Sequence, residues 1–167
     1  MFSASRMAVL ALSLAGCSLI SFDVSQEIPP QTVPGSPLGG LLLLSLFAVP
    51  MTIDIQSETA AHGTGPASSA TLSSLSLTVT SPPGGTWEFV DSITITISAS
   101  SDPNLPEKEI GKLGDVPANT SISIPPTGSV NLLPYINAGA TITAKASGHM
   151  PAQDTTYTGL VVIKIQA

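Results

Sequence analysis

Residues 87–99, WEFVDSITITISA, alternate between apolar and polar side chains with a period of two. Asp91 alone interrupts the apolar parity, whose other members are Trp87, Phe89, Ile93, Ile95 and Ile97. Because successive side chains of a β-strand point to opposite faces, this pattern predicts a strand with one face on a core. Asp91 marks a break in that strand, with a functional acid as the alternative interpretation.

Segments with the same period lie on both sides of this stretch, separated by turn sequences such as SPPGGT at 81–86. Leu72 has the opposite parity from Leu75, Leu77 and Val79, which predicts a bulge near Ser73. We therefore expect an all-β fold, an antiparallel β-sandwich of about seven strands with immunoglobulin-like topology. The alternating or strand-like segments are 51–56, 72–80, 87–97, 119–125, 139–148 and 156–167.

The chain of 167 residues has few charges and an acidic balance. Only 10% of its residues are charged, and 11 acidic against 5 basic side chains give a formal net charge of −6. A protein that binds the phosphate backbone needs a basic patch, which four scattered lysines and Arg6 do not supply. The composition therefore excludes nucleic acid as a partner.

The N-terminus has the organisation of a secretory signal peptide. Arg6 precedes an apolar run at 7–14, the small residues Ala15 and Gly16 follow, and Cys17 is the only cysteine of the chain. A helix needs roughly 20 apolar residues to span a bilayer, so this run is too short to be a membrane anchor.

The tetrapeptide Leu14-Ala15-Gly16-Cys17 resembles the lipobox of bacterial lipoproteins. The resemblance implies that the Cys17 sulfur receives a diacylglyceryl group and that the signal peptide is cut just before it. Ser18 at the next position resembles an outer-membrane address, so we expect a lipid-anchored protein of the cell envelope, on either face of the outer membrane. A buried structural thiol is the alternative role for Cys17.

These observations divide the chain into a lipoprotein signal peptide at 1–16, a lipidated and extended region at 17–50, and a β-sandwich domain at 51–167. Within 17–50, four prolines at 29–37 predict a stiff tether over 18–37. The apolar stretch LGGLLLLSLFAVP at 38–50 is either a strand or loop buried on the domain, or a segment lying on the membrane surface. The order of these elements resembles a group of small, uncharacterised single-domain bacterial lipoproteins, which implies no activity.

Residues with catalytic or metal-binding chemistry are sparse. His62 and His149 lie in Gly-, Ser- and Pro-containing loops without the spacing of metal ligands, and a G-x-S-x-G nucleophile motif is missing from the sequence. The loop carboxylates lack the dense spacing of a calcium site. We therefore predict no catalytic residue, no metal and no cofactor.

The leading functional hypothesis is a non-catalytic binding or structural module, held at the membrane by the acylated Cys17. The threonines of the polar strand faces reflect ordinary β propensity, or alternatively form a flat, low-charge surface suited to an envelope protein or a glycan as its partner. An alternative is a carrier or chaperone for an apolar ligand held between the sheets. A third hypothesis is a hydrolase in which His62 or His149 meets a carboxylate and a serine in a cleft.

Overall fold

The computed structural model describes residues 20–167. The predicted signal peptide, its cleavage motif Leu14-Ala15-Gly16 and the predicted lipidation site Cys17 lie outside these residues. The described chain forms eight strands and two short helices: β1 Ser21–Val33, β2 Leu41–Pro50, α1 Ile55–Ala61, β3 Ser69–Ser81, β4 Val90–Ala99, β5 Lys108–Gly114, β6 Ser121–Ile124, α2 Leu133–Asn137, β7 Ala140–His149 and β8 Thr155–Gln166.

The strands form two antiparallel sheets, in the orders β1-β8-β3-β6 and β2-β7-β4-β5. The predicted all-β sandwich is therefore confirmed. Its predicted immunoglobulin-like topology is wrong, because that topology would place β1 beside β2. Instead β1 pairs with β8, β2 with β7, β3 with β6 and β4 with β5. This pattern of antiparallel pairs, divided between two sheets of four strands, is that of a jelly roll.

The predicted tether is also wrong for the described part of 17–50. Its residues 21–33 form β1, which pairs with β8 along its length, and the sandwich domain includes both β1 and β2 rather than beginning at residue 51. Pro29 and Pro30 fall where the register shifts between Ile28 and Gln31. Prolines are tolerated there because β1 is an edge strand and the shift removes the need for their N–H groups.

The apolar stretch at 38–50 contributes the strand β2 over 41–50, as one alternative predicted, but the predicted burial does not extend to Leu38 and Leu41, which are exposed. The alternation at 51–56 does not form a strand. Instead Asp54 caps the first turn of α1, and its carboxylate accepts hydrogen bonds from the N–H groups of Gln56 and Ser57. Neither helix of residues 20–167 is long or apolar enough to cross a membrane.

The core lies between the sheets and is built from the inward parity that the sequence predicted. Ile93, Ile95 and Ile97 are fully buried, and Trp87 packs edge-on against Tyr157 with ring centroids 5.1 Å apart. The bulge predicted near Ser73 is confirmed by a register shift between Leu72 and Ser74. One-sided alternation of this kind fixes the register, because a slip by one residue would expose the whole apolar set.

Candidate binding site at one end of the sandwich

Three connections meet at the same end of the sandwich: β1–β2 (34–40), β3–β4 (82–89) and β7–β8 (150–154). Since consecutive strands alternate in direction, every connection from an odd to an even strand leaves the sheets at this end. Together these loops line a half-open cleft of about 340 Å³.

The β1–β2 loop is fastened to the β7–β8 loop by hydrogen bonds from two of its backbone N–H groups. The N–H of Gly35 donates to Oδ1 of Asp154 at 2.8 Å, and the N–H of Ser36 donates to the carbonyl of Pro151 at 2.8 Å. A Cβ atom at Gly35 would lie 2.3 Å from the carbonyl carbon of Gln153, so only glycine permits this approach. One wall of the cleft is therefore fixed by the fold.

The β3–β4 loop is fixed by a bulge at the start of β4. Val90 pairs with Gly148 and Ser92 with Ser147, which leaves Asp91 as the extra residue. Asp91 is exposed, and its carbonyl accepts a hydrogen bond from the N–H of Val116 at 3.2 Å. The predicted strand break is thus a β-bulge, which redirects the chain toward the cleft.

The polar groups around the cleft come from all three loops: the hydroxyls of Ser36 and Thr86, the carboxylate of Glu88, the imidazole of His149 and the amide of Gln153. None of the described residues that line it is Lys or Arg. Pro37, Pro82 and Pro151 add apolar surface. The arrangement suits a neutral, polar ligand with several hydroxyl groups better than an anion.

The two histidines lie in different parts of the molecule. His149 lines the cleft, where its Nδ1 is 3.3 Å from the carbonyl oxygen of Met150, and the Ser36 hydroxyl donates to the Gly39 carbonyl at 3.2 Å. His62 ends α1 and stacks on Phe22, with ring centroids 3.9 Å apart. The structure therefore brings His149, Glu88 and Ser36 around one cleft, with the serine and the imidazole each directed to a backbone carbonyl.

Within residues 20–167, no cluster of three His, Cys, Asp or Glu side chains could hold a metal ion. The apolar gap between the sheets, beside Ile28 and Phe47, has a volume of about 10 Å³. That is room for one water molecule at most, whereas sites for small ligands measure roughly 300 Å³ or more. This gap between the sheets is therefore too small for an apolar ligand.

The Ser and Thr side chains of the outer faces hydrogen-bond to one another across the strands. The hydroxyl pairs are Thr78 with Ser121 at 2.7 Å, Ser92 with Ser147 at 2.7 Å and Thr32 with Thr156 at 2.9 Å. Cross-strand pairs of this type stabilise a sheet. These hydrogen bonds give the hydroxyls a structural role. The strand faces are therefore weaker candidates for a binding surface than the cleft.

Sequence reasoning identified the turn at 81–86 and the turn that carries His149, but it did not bring them together. Thr86 and Gln153 stand in segments that the sequence indicates only as loops, and Glu88 was placed in the predicted strand at 87–97, whereas β4 begins at Val90. The one available signal is the concentration of Gly and Pro in 34–40, 82–85 and 148–151. It could not be used while 34–37 was assigned to the tether and 38–40 to the apolar stretch, both outside the predicted domain.

No protein-family model and no curated protein matches this chain. Among solved structures, the decameric BFDV capsid protein is similar over 89% of this chain and 99% of its own, with a TM-score of 0.42 and 11% identity. The capsid of Helicobacter pylori bacteriophage KHP30 has a TM-score of 0.36 and 10% identity, over 89% of this chain and 98% of that one. The Macrobrachium rosenbergii nodavirus particle has a TM-score of 0.34 and 10% identity, over 99% of this chain and 94% of that one. These similarities are too distant to assign a function.

Proposed function

We propose that this chain is a lipid-anchored lipoprotein of the cell envelope, and that its jelly roll is a non-catalytic module that binds a neutral, hydroxyl-rich ligand such as a glycan in the end cleft. The observation that carries the binding role is the convergence of Glu88, His149 and Gln153 from two different loops on one cleft. The lipobox at residues 14–17 supports the anchor.

The position of β1 relates the anchor to the cleft. Cys17 precedes Ser21 by four residues, which reach at most about 14 Å, so an acylated Cys17 would hold the domain close to the bilayer. The 13 residues of β1 then span about 40 Å to the end that carries the cleft. A ligand would therefore bind far from the point of membrane attachment.

The chemistry of the cleft supports glycan binding in three ways. A carboxylate such as Glu88 accepts hydrogen bonds from sugar hydroxyls, an amide such as Gln153 both donates and accepts, and proline rings offer apolar surface to the faces of a sugar. Hydrolysis has weaker support, because the Ser36 hydroxyl and the imidazole of His149 are each bonded to a backbone carbonyl rather than to each other.

Anchoring is tested with the variant Cys17→Ala in cells fed a labelled fatty acid. We expect the wild-type chain to carry the label and to sediment with membranes, and the variant to lose both properties. Ser18→Ala is the matched control, since it leaves the acylated sulfur in place. A Cys17→Ala chain that remains labelled and membrane-bound contradicts the anchor.

Binding is tested by applying the purified chain to an array of envelope oligosaccharides and measuring the affinity of each glycan that binds. We expect Glu88→Gln and His149→Ala to weaken binding about tenfold each, which corresponds to about 1.4 kcal/mol. Glu58→Gln in α1, at the other end of the sandwich, is the matched control. Binding that is unchanged in both cleft variants, or an array with no ligand, rejects the cleft as a glycan site.

A further inference from the structure

The two sheets of residues 20–167 have four edge strands, and three of them are protected against pairing with another chain. β6 is only four residues long. β5 carries alternating charges, and β1 carries two acidic residues and a proline-containing irregularity. Short length, charge and proline are the usual means by which edge strands avoid association. The protecting residues are Lys108, Glu109 and Lys112 in β5, and Asp23, Glu27, Pro29 and Pro30 in β1.

β2 lacks these protections over most of its length. It is ten residues long, and the sequence from 33 to 50 contains no charged residue. Its one proline, Pro50, is at its end. A long edge strand without charge is an established signature of a strand that pairs with another chain.

The register shows which backbone groups of β2 are available. The N–H of Met150 donates to the carbonyl of Gly40, so the even-numbered residues up to Leu44 direct their backbone groups to β7. Leu41, Leu43 and Ser45 therefore direct theirs away from β7. Within the described chain, β2 has a neighbouring strand on its β7 side alone.

Apolar side chains are exposed at the same place. Leu41, the first residue of β2, is 89% exposed, and Leu38 in the preceding loop is 97% exposed. Burying a leucine side chain contributes about 1.5–3 kcal/mol, so a contact that covers this corner of the sandwich gains both backbone hydrogen bonds and apolar burial.

We propose that β2 pairs antiparallel with β2 of a second copy of this chain, across a two-fold axis that passes beside Leu43. Leu41 of one copy then lies opposite Ser45 of the other, and the three bonded pairs make about six backbone hydrogen bonds. The two four-stranded sheets that contain β2 become one continuous sheet of eight strands. A strand meets its own copy antiparallel in any isologous dimer of this kind.

The distribution of charge favours a second copy of this chain as the partner of the β2 edge. Two molecules of formal charge −6 repel each other, and the charge-free segment 33–50 is where they can approach without opposing like charges. Since Gln26 of β1 bonds to Pro50 and Thr52, Glu27 lies beside the end of β2 and Asp23 lies beyond it. The axis beside Leu43 lies toward the other end.

The symmetry also allows both copies to be attached to one membrane. The two-fold axis of an antiparallel strand pair is perpendicular to the sheet, so a dimer lying with its sheets parallel to the bilayer presents both starts of β1 at the same height. The pairing does not depend on lipidation. It buries less than a standard interface of about 1,600 Å², so we expect a weak dimer that the local concentration at a membrane favours.

The test is disulfide crosslinking of the full-length chain in cell membranes, with the double variant Leu41→Cys and Ser45→Cys. Opposed residues of a bonded antiparallel pair have Cα atoms about 5.5 Å apart, within the range for a disulfide. We expect the double variant to give a covalent dimer under mild oxidation. Each single variant should give none, because residue 41 is far from residue 41 of the other copy. The wild-type chain, whose only cysteine is Cys17, is the control for crosslinks that form through that residue.

Two further variants make the test specific to the β2 edge. Lys108→Cys with Lys112→Cys places the same spacing on β5, and we expect no dimer from it. Leu43→Pro in the double-cysteine background removes two of the proposed hydrogen bonds and none of those to β7. The dimer band should therefore fall several-fold, while the midpoint of thermal unfolding of the chain stays the same. Absence of a dimer in the double variant, or equal dimer in the single variants or in the β5 pair, overturns the proposal.

Discussion

The two sides of the sandwich, where the edge strands of the two sheets face each other, are closed in different ways. On the β5–β6 side, the N–H of Lys112 donates to the carbonyl of Pro125 at 3.2 Å and the N–H of Thr127 donates to that of Ile110 at 2.8 Å. On the β1–β2 side of the described chain, the buried Tyr157 hydroxyl of β8 donates to the Leu46 carbonyl of β2, and the bonds that β1 itself makes across to the other sheet both involve the amide of Gln26. Its Nε2 donates to the Pro50 carbonyl and its Oε1 accepts from the N–H of Thr52, each at 2.9 Å.

The difference shows how a jelly roll can close the strand edges on one side and leave those on the other side able to pair with a further strand. Backbone-to-backbone bonds use the hydrogen-bonding groups of both edges, so a further strand finds few partners there. A side-chain bridge seals only the part of an edge that it reaches. Gln26 closes β2 beside Pro50 and leaves the Leu41–Ser45 end open.

The largest effect is expected from Gly111→Val, which attacks the closed side. A Cβ atom there would lie 3.2 Å from the carbonyl of Pro125 and 3.4 Å from Cγ2 of Ile124, and the methyl groups of valine would force β6 away. We expect the free energy of unfolding in urea to fall by about 3 kcal/mol. Gly114→Val is the control, because nothing lies within 4 Å of that position. Equal stabilities of the two variants would show that this side is not tightly closed.

A smaller loss is expected from Tyr157→Phe, which acts on the bulge of β2. The buried phenol donates to the Leu46 carbonyl at 2.5 Å, where the register of β2 shifts between Ser45 and Phe47. Without the hydroxyl that carbonyl is buried and unsatisfied, at a cost of about 2 kcal/mol. Tyr135→Phe should cost less, since its bond to the Pro106 carbonyl is only partly buried and water can replace it.

The same residue predicts a pH dependence. Burial raises the pKa of the Tyr157 phenol above its ordinary value of 10.0, so the folded state favours the protonated form. The stability from Tyr157 is therefore complete below pH 10 and is lost as the pH rises further. Urea unfolding between pH 8 and 11 should show the advantage of wild type over Tyr157→Phe shrinking above pH 10. An advantage that stays constant contradicts the assignment.

Sequence patterns predicted the middle of the sandwich better than its edges. The alternation at 93–97 identified three fully buried isoleucines of β4, because a strand with one face on the core has a strong periodic signal. β1 was missed, although Phe22, Val24 and Ile28 share one parity that only Gln26 interrupts. Four prolines at 29–37 outweighed that pattern, and an edge strand with an irregular register tolerates the two that lie within β1.

The candidate site was less predictable than the fold, since its parts are distant in sequence. Ser36, Glu88 and His149 meet only because their connections leave the sheets at the same end. Recognising this required the correct strand count, and the six alternating residues at 51–56 were mistaken for a strand. A short alternation cannot be distinguished from a capped helix start such as Asp54 followed by Gln56 and Ser57.

Gln26→Ala tests the side-chain bridge and should cost about 1–2 kcal/mol. The sharper measurement is hydrogen exchange of the backbone amides. We expect the Thr52 amide to lose protection, while the amides of Lys112 and Thr127 on the opposite side keep theirs. Gln31→Ala is the control, because its amide bonds only to Pro29 two residues away. Loss of protection on both sides would show that the two seams open together.

The smallest effect on stability is expected at Asp54, which caps α1. This helix follows β2 in the chain, just after the residues that Gln26 bonds to. Hydrogen bonds from the hydroxyl and the N–H of Ser57 lower the pKa of this exposed carboxyl below 3.8, with a further contribution from the N–H of Gln56. A lowered pKa in the folded state means that the cap is intact above pH 3.8 and is lost as the pH falls through the folded value.

In an NMR titration, the amide shifts of Gln56 and Ser57 should therefore move with a midpoint below 3.8. Asp54→Asn removes the titration and keeps the cap, which makes it the matched control. Because α1 leads to His62, whose ring stacks on Phe22 of β1, fraying of the helix at low pH should also shift the Phe22 ring resonances. A midpoint at or above 3.8 would mean that Asp54 does not hold the helix, and that the β1–β2 side depends on Gln26 alone at that end.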